Sequence, residues 1–253
     1  MKPLQVQFLF DFGSPNAYLC HKVLSGMESR TGIRFEYLPI LLGGLFKLSN
    51  NRSPAEAFAD IPNKRAYDKL EVQRFIARHQ IDRFQFNPHF PVNTLKIMRL
   101  AVAAQALGCD PQVIEAMYSA MWEQARNMDD PNEITAVLNN AGLDGASLLA
   151  RAQEPEIKAC LAANTQSAFE RGAFGSPSFF VGNELFFGKD RLREVEEEII
   201  KQKDVQLKNA SSPCGVANRV VSTGGHRSGP SILQVLISQP LAQQASKKLL
   251  LWA

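Results

Sequence analysis

The sequence predicts an α/β fold in which a βαβ half and a ββα half are separated by a long helical insertion. Three observations predict it. Two β-rich runs flank a helical stretch within the first 42 residues. Apolar stripes at helical spacing fill residues 53–171. A strand–turn–strand–helix pattern closes the region, from Ser176 to Ile200.

The elements follow in order. Residues 4–12, LQVQFLFDF, are β-rich and partly alternating, which predicts a strand. Gly13-Ser14-Pro15 then supplies a turn, an N-cap and a first-turn proline, and NAYLCHKVLSGMESR continues with helical spacing. IRFEYLPILL at 33–42 predicts the second strand, so the chain opens like the βαβ unit of a thioredoxin-like fold. Helical stripes recur at 67–80, 93–107, 111–126, 134–142 and 155–172, with Gly108, Gly142 and Gly172 where C-caps belong. SPSFFVGN and ELFFGKD predict a hairpin turning at Gly182-Asn183, and DRLREVEEEII predicts a closing helix. The expected organisation is a discontinuous thioredoxin-like domain (1–52 and 173–200), an inserted helical domain (53–172), and an atypical tail (201–253). The tail's scattered Ser and Gly and weak capping predict that it contributes nothing to catalysis.

Composition narrows the function classes. At 253 residues, with 45% hydrophobic and 21% charged residues, the chain has the make-up of an ordinary globular protein. The formal charge of +3 is unevenly placed. From Lys201 to Ala253 there are seven Lys/Arg and one acidic residue, net +6, which leaves −3 for residues 1–200. The part with enzyme-like patterning is mildly acidic, which argues against a nucleic-acid partner. No apolar run is long enough to cross a bilayer, and MKPLQVQFLFDF reaches Asp11 too soon for a secretion signal. Cys20, Cys109, Cys160 and Cys214 form no CxxC pair and no ligand cluster with the four histidines, so neither a zinc site nor a dithiol motif is predicted. A cytoplasmic location is the expectation.

The chemistry concentrates in two segments. In DFGSPNAYL, Ser14 is the expected N-cap of the first helix and Pro15 its first residue. The positive end of that helix favours an anion there. A thioredoxin-like redox protein carries its nucleophilic cysteine at this spot. Here the tetrad is Ser14-Pro15-Asn16-Ala17, with no sulfur at either end. What remains suits an external thiolate, with the Ser14 hydroxyl as donor; the competing reading is a plain cap worth about 1 kcal/mol. In GAFGSPSFFVGNELFFGKDRL, Pro177 is the candidate for the cis-proline that thioredoxin-type folds set facing that helix, leaving the Ser176 backbone free to pair with a peptide-like ligand. Asp190 follows Gly188, where it either caps the last helix or holds an ammonium group.

Taken together, these segments resemble the DsbA-like branch that contains kappa-class glutathione transferases and 2-hydroxychromene-2-carboxylate isomerases. The resemblance spans about residues 5–200 and includes LLGGLFKLSNNRSP, PNKRAY and NPHFPVNTL, the last of which, with LLGGLFK, is more similar to the isomerases. It implies glutathione as cofactor, with Ser14 at its sulfur, Asn51 and Lys64 on its binding side, Ser176 pairing through its backbone beside Pro177, and Asp190 at its γ-glutamyl end. Lys189 stands where transferases of the class often have serine. Without the resemblance, Asn51 reads as a loop asparagine, Lys64 as a solvated lysine, and His89 as structural. Phe12, Phe46, Phe90 and Trp122 read as core or pocket wall.

The implied activity is a step of aromatic catabolism, the interconversion of 2-hydroxychromene-2-carboxylate and trans-o-hydroxybenzylidenepyruvate through reversible thiolate addition. The expected partners are a small aromatic carboxylate and a second copy of the chain in a homodimer. Two rival readings are a kappa-like glutathione transferase, which would retain the adduct, and a non-catalytic peptide-binding module gripping its ligand beside Pro177.

Overall fold

A computed structural model describes residues 3–211. The first strand β1 (Val6–Phe10) is buried along its whole length, with Gln7 its one polar residue, as suits a central strand covered on both faces. Helix α1 (Pro15–Thr31) follows, and β2 (Glu36–Pro39) returns parallel to β1. Near the other end, β3 (Ser178–Val181) pairs antiparallel with β1, and β4 (Glu184–Phe187) pairs antiparallel with β3. The sheet order is β2-β1-β3-β4. Val181 faces Glu184 across the two-residue turn, where Gly182 takes a left-handed φ of 59° that the expected hairpin demands.

Eight helices lie between β2 and β3: α2 (Leu42–Ser49), α3 (Pro54–Ala57), α4 (Pro62–His79), α5 (Leu95–Leu107), α6 (Asp110–Trp122), α7 (Pro131–Asn140), α8 (Gly145–Arg151) and α9 (Pro155–Glu170). A 3₁₀ turn (Lys189–Arg191) leads into α10 (Leu192–Ser211). The thioredoxin-like α/β fold with helices between its halves is therefore as the sequence predicts. Several boundaries differ. The 33–42 run is strand only over Glu36–Pro39, and its end turns into α2, whose two glycines had masked the helical pattern. Helix α4 starts five residues early, because Pro62 is pre-set for a first turn. The last helix continues past Ile200 to Ser211. The predicted tail from residue 212 onward lies outside the described residues.

The main core joins the sheet to α1 and α6 through Phe8, Phe10, Phe12, Tyr18, Tyr118 and Trp122, all fully buried. Their rings meet edge-on or offset: Phe12 and Tyr118 lie 4.9 Å apart at 76°, and Phe8 and Phe179 5.2 Å apart at 20°. The Trp122 indole Nε1–H donates to the Phe12 carbonyl at 2.7 Å, so its one polar atom is satisfied inside the core. This packing fixes the strand end from which the β1–α1 turn projects.

Candidate active site at the start of helix α1

The β1–α1 turn is held by Asp11, a fully buried carboxylate. It accepts from the Gly13 amide at 2.8 Å, the Leu42 amide at 2.8 Å and the Thr94 hydroxyl at 3.0 Å. Burial pushes its carboxyl above the usual range, and these three donors oppose that rise. One side chain thereby ties β1, α2 and the start of α5 to the site. Gly13 is required beside it, since a Cβ there would lie 2.9 Å from the Thr94 methyl carbon.

Ser14 caps α1 as predicted. It has extended backbone (φ −92°, ψ 112°), and its Oγ accepts from the Ala17 amide at 3.2 Å. The hydroxyl hydrogen goes elsewhere: Oγ–H donates to the Ser176 carbonyl at 2.9 Å, across 162 residues of sequence. The Ser176-Pro177 bond is cis, as the sequence predicts for its candidate, and a second cis bond, Phe90-Pro91, was not anticipated. Of the Ser176 backbone groups expected to be free, the carbonyl is thus occupied by Ser14. The Asn16 Oδ1 beside it is buried and has no hydrogen-bond partner.

The six residues that the resemblance placed at glutathione all line one cleft of about 1920 Å³: Ser14, Asn51, Lys64, Ser176, Pro177 and Asp190. Asn51 donates from Nδ2 to the Phe174 carbonyl at 2.9 Å and caps its neighbour through Oδ1, which accepts from the Arg52 amide. Lys64 is held by Asp68 one turn on, and its ammonium sits 5.0 Å from the Phe58 ring centre. Asp190 is mostly exposed and pairs with Lys189. Lys189 itself is buried, with its ammonium 5.3 Å from the Phe75 ring centre. His89 does not line the cleft, and its amide is bonded to the Asn87 side chain.

Three features of the site escaped the sequence. Asp11 read only as the end of a strand, because its partners lie 31 and 83 residues away. Lys189 gave no sign of being buried. The mouth of the cleft carries four exposed phenylalanines, Phe86, Phe90, Phe174 and Phe187, of which only Phe90 was singled out. Phe174 and Phe187 pack at 4.5 Å, while Phe86 and Phe90 lean on Trp122 at 6.5 and 6.0 Å. These two exposed aromatic groups on one cleft offer binding surface for a flat apolar group.

Cys20 is buried, Cys109 half-buried and Cys160 exposed; all three are free thiols, and burial pushes the Cys20 thiol well up. Cys214 lies outside the described residues. With serine at the start of α1, this geometry is that of a thioredoxin-type site without its sulfur.

A family model described as a DsbA-like thioredoxin domain matches residues 5–200. The chain belongs to the DsbA-like thioredoxin family. Within it, the chain is similar to the 2-hydroxychromene-2-carboxylate isomerase of Sphingobium xenophagum, 26% identical over 197 residues, covering 77% of this chain and 97% of that protein. It is also similar to human glutathione S-transferase kappa 1, 24% identical over 208 residues, covering 75% and 88%. Among solved structures, a 2-hydroxychromene-2-carboxylate isomerase superposes with a TM-score of 0.69 at 25% identity, covering 82% of this chain and 99% of that one. A probable DsbA oxidoreductase from Streptomyces coelicolor, with a TM-score of 0.60 at 17% identity over 80% of this chain and 91% of its own, shares the fold. The resemblance read from the motifs thus holds, as does the expectation of an isomerase-type enzyme in a branch shared with kappa transferases. Among the described residues, no helix is long and apolar enough to cross a membrane.

Proposed function

We propose that the protein is a glutathione-dependent isomerase of small conjugated aromatic carboxylates, of which 2-hydroxychromene-2-carboxylate is the model substrate. The observation that carries this reading is the Ser14 hydroxyl, at the N-terminus of α1, set against the cis Ser176-Pro177 peptide in a cleft with an aromatic mouth.

The residues present suit glutathione by their chemistry. The Asn16 Oδ1, without a partner, offers an acceptor, and Ser14 offers a donor next to the positive end of the helix. The exposed Asp190 carboxylate suits an ammonium group, and Lys64 and Asn51 suit a carboxylate. When bound, glutathione supplies a thiolate that adds reversibly to a conjugated carbon, which lets the double bond rotate. Ser14 would turn its hydroxyl from the Ser176 carbonyl to the sulfur, which also frees that carbonyl for the peptide backbone of the ligand. A free thiol of pKa about 8.5 is only a few per cent ionised at pH 7; lowering it by about two units makes it mostly ionised and corresponds to ~2.7 kcal/mol. A helix N-terminus together with one hydroxyl donor supplies stabilisation of that order. Phe86, Phe90, Phe174 and Phe187 would hold the aromatic ring against the sulfur and keep water from it.

A kappa-like transferase reading shares every one of these residues and differs in the fate of the product. Following 2-hydroxychromene-2-carboxylate by ultraviolet absorbance separates them. Conversion that requires glutathione without consuming it is the expected result. Stoichiometric loss of glutathione would assign a transferase, and no response to glutathione would leave the peptide-binding module.

A further inference from the structure

The cleft is larger than this reaction needs. Its volume of about 1920 Å³ exceeds the roughly 300–1,000 Å³ of ordinary small-ligand sites. It also extends far from Ser14. The residues of α1 that line it fall in two groups, Asn16 at its start and Val23, Met27 and Arg30 on its second half, and lining residues of α4 from Pro62 to His79 connect the two ends. At 1.5 Å per residue, Arg30 lies about 24 Å along the axis from Ser14. Between the ends, half-buried Val23 and Val72 border the cleft beside the buried Met27 and Phe75, with the Lys189 ammonium next to the Phe75 ring.

The far end is cationic. Arg30 spends Nε and Nη2 on Glu196, at 2.7 and 2.8 Å, which leaves Nη1 uncommitted. Arg78 lines the same end and makes no ion pair or hydrogen bond through its side chain among the described residues. His79 completes the group, its ring 4.3 Å from that of Phe75. Burial first, then the charges of Arg78 and Arg30, lowers the imidazole from its usual value. Glu196 offsets one of the two guanidinium charges, so the group carries a surplus of one positive charge. That surplus matches a single carboxylate.

We propose that Arg78, Arg30 and His79 form a second subsite in the cleft, which takes the carboxylate of an elongated apolar chain whose other end lies at Ser14. The class of ligand is a long-chain carboxylate, free or joined to glutathione through sulfur. The joined form rests on the glutathione reading above; the free form does not.

Calorimetric titration of the full chain tests it. The probes are S-methylglutathione, S-hexadecylglutathione, and the same hexadecyl conjugate ending in a carboxylate; hexadecanoate and its methyl ester form a glutathione-free arm. The carboxylate-ended conjugate should bind at least tenfold tighter than the methyl-ended one. Arg78→Ala, a change at an exposed helix position, should erase that preference and leave S-methylglutathione affinity unchanged. Equal binding of the two hexadecyl conjugates, or a preference that survives in Arg78→Ala, would overturn the subsite. Failure of S-methylglutathione to bind, with hexadecanoate still preferred over its ester in an Arg78-dependent way, would keep the subsite and overturn the glutathione reading instead.

Discussion

The two walls of the cleft are built differently. On one side stands α1, with seven of its 17 residues buried against the sheet and the aromatic core. On the other stands α4, in which Phe75 is the one buried residue of 18. Both walls carry proposed ligand groups, Ser14 on the first and Lys64 on the second. The difference teaches where precision is needed. A group that must meet a sulfur atom within hydrogen-bond range is fixed by the core, whereas a group that attracts a carboxylate can sit on a helix held mostly by its own turns.

The largest expected effect lies behind the α1 wall. Trp122→Ala removes a fully buried ring and strands the Phe12 carbonyl that its indole serves, which should cost about 3–5 kcal/mol. Chemical denaturation would report it; a loss below about 1 kcal/mol would show that the aromatic core does not carry the site. On the α4 wall the opposite balance holds. Lys64→Ala breaks a half-exposed pair with Asp68 and should change stability by no more than about 0.5 kcal/mol, while weakening glutathione binding about tenfold. If the variant instead lost its cooperative melt with unchanged affinity, the two walls would not differ in the way described.

How much of this was legible follows the same division. Strand β1 and helix α1 announce themselves because their pattern is local: a buried apolar run, then Ser-Pro at a helix start. The β3–β4 hairpin does so through Gly182-Asn183. The six residues that the resemblance placed at glutathione lie on the one cleft, because the two motifs that carry most of them flank the helical insertion and the sheet brings β1 and β3 side by side; His89 lies off it. The sequence could not show that the Ser14 hydroxyl is already engaged by the Ser176 carbonyl, since that bond joins residues 162 apart. Nor could it place Asp11, whose role exists only once Leu42 and Thr94 have folded around it. Helix α2 was hidden by Gly43 and Gly44, and α8 is one short stretch of seven residues with a weak pattern.

A smaller effect concerns the ion pairs that join α1 to α6. Glu115 accepts from His21 and Lys22, each within 3.0 Å, and these partners hold its carboxyl at about 2 against an ordinary value of 4.5. A carboxylate with a depressed value stabilises the fold above its unfolded pKa and loses that contribution as pH falls. Stability should therefore decline between about pH 4.5 and about pH 2, and Glu115→Gln should flatten part of that decline. Because the side chain is more than half exposed, the change should be modest. Thermal melts of both proteins across that range measure it, and identical slopes would remove Glu115 from the account.

The central claim is that Ser14 acts on a bound sulfur and not merely as a helix cap. The pH–rate profile of wild type against Ser14→Ala, with glutathione and 2-hydroxychromene-2-carboxylate, tests it most directly. The account predicts that Ser14→Ala costs about 1 kcal/mol of stability as a lost cap and keeps glutathione binding within about tenfold. It further predicts that the acidic limb moves up by about one pH unit or more, with lower turnover near neutral pH, because the thiolate has lost its donor. Superimposable profiles with equal turnover would contradict it and leave Ser14 as a cap alone.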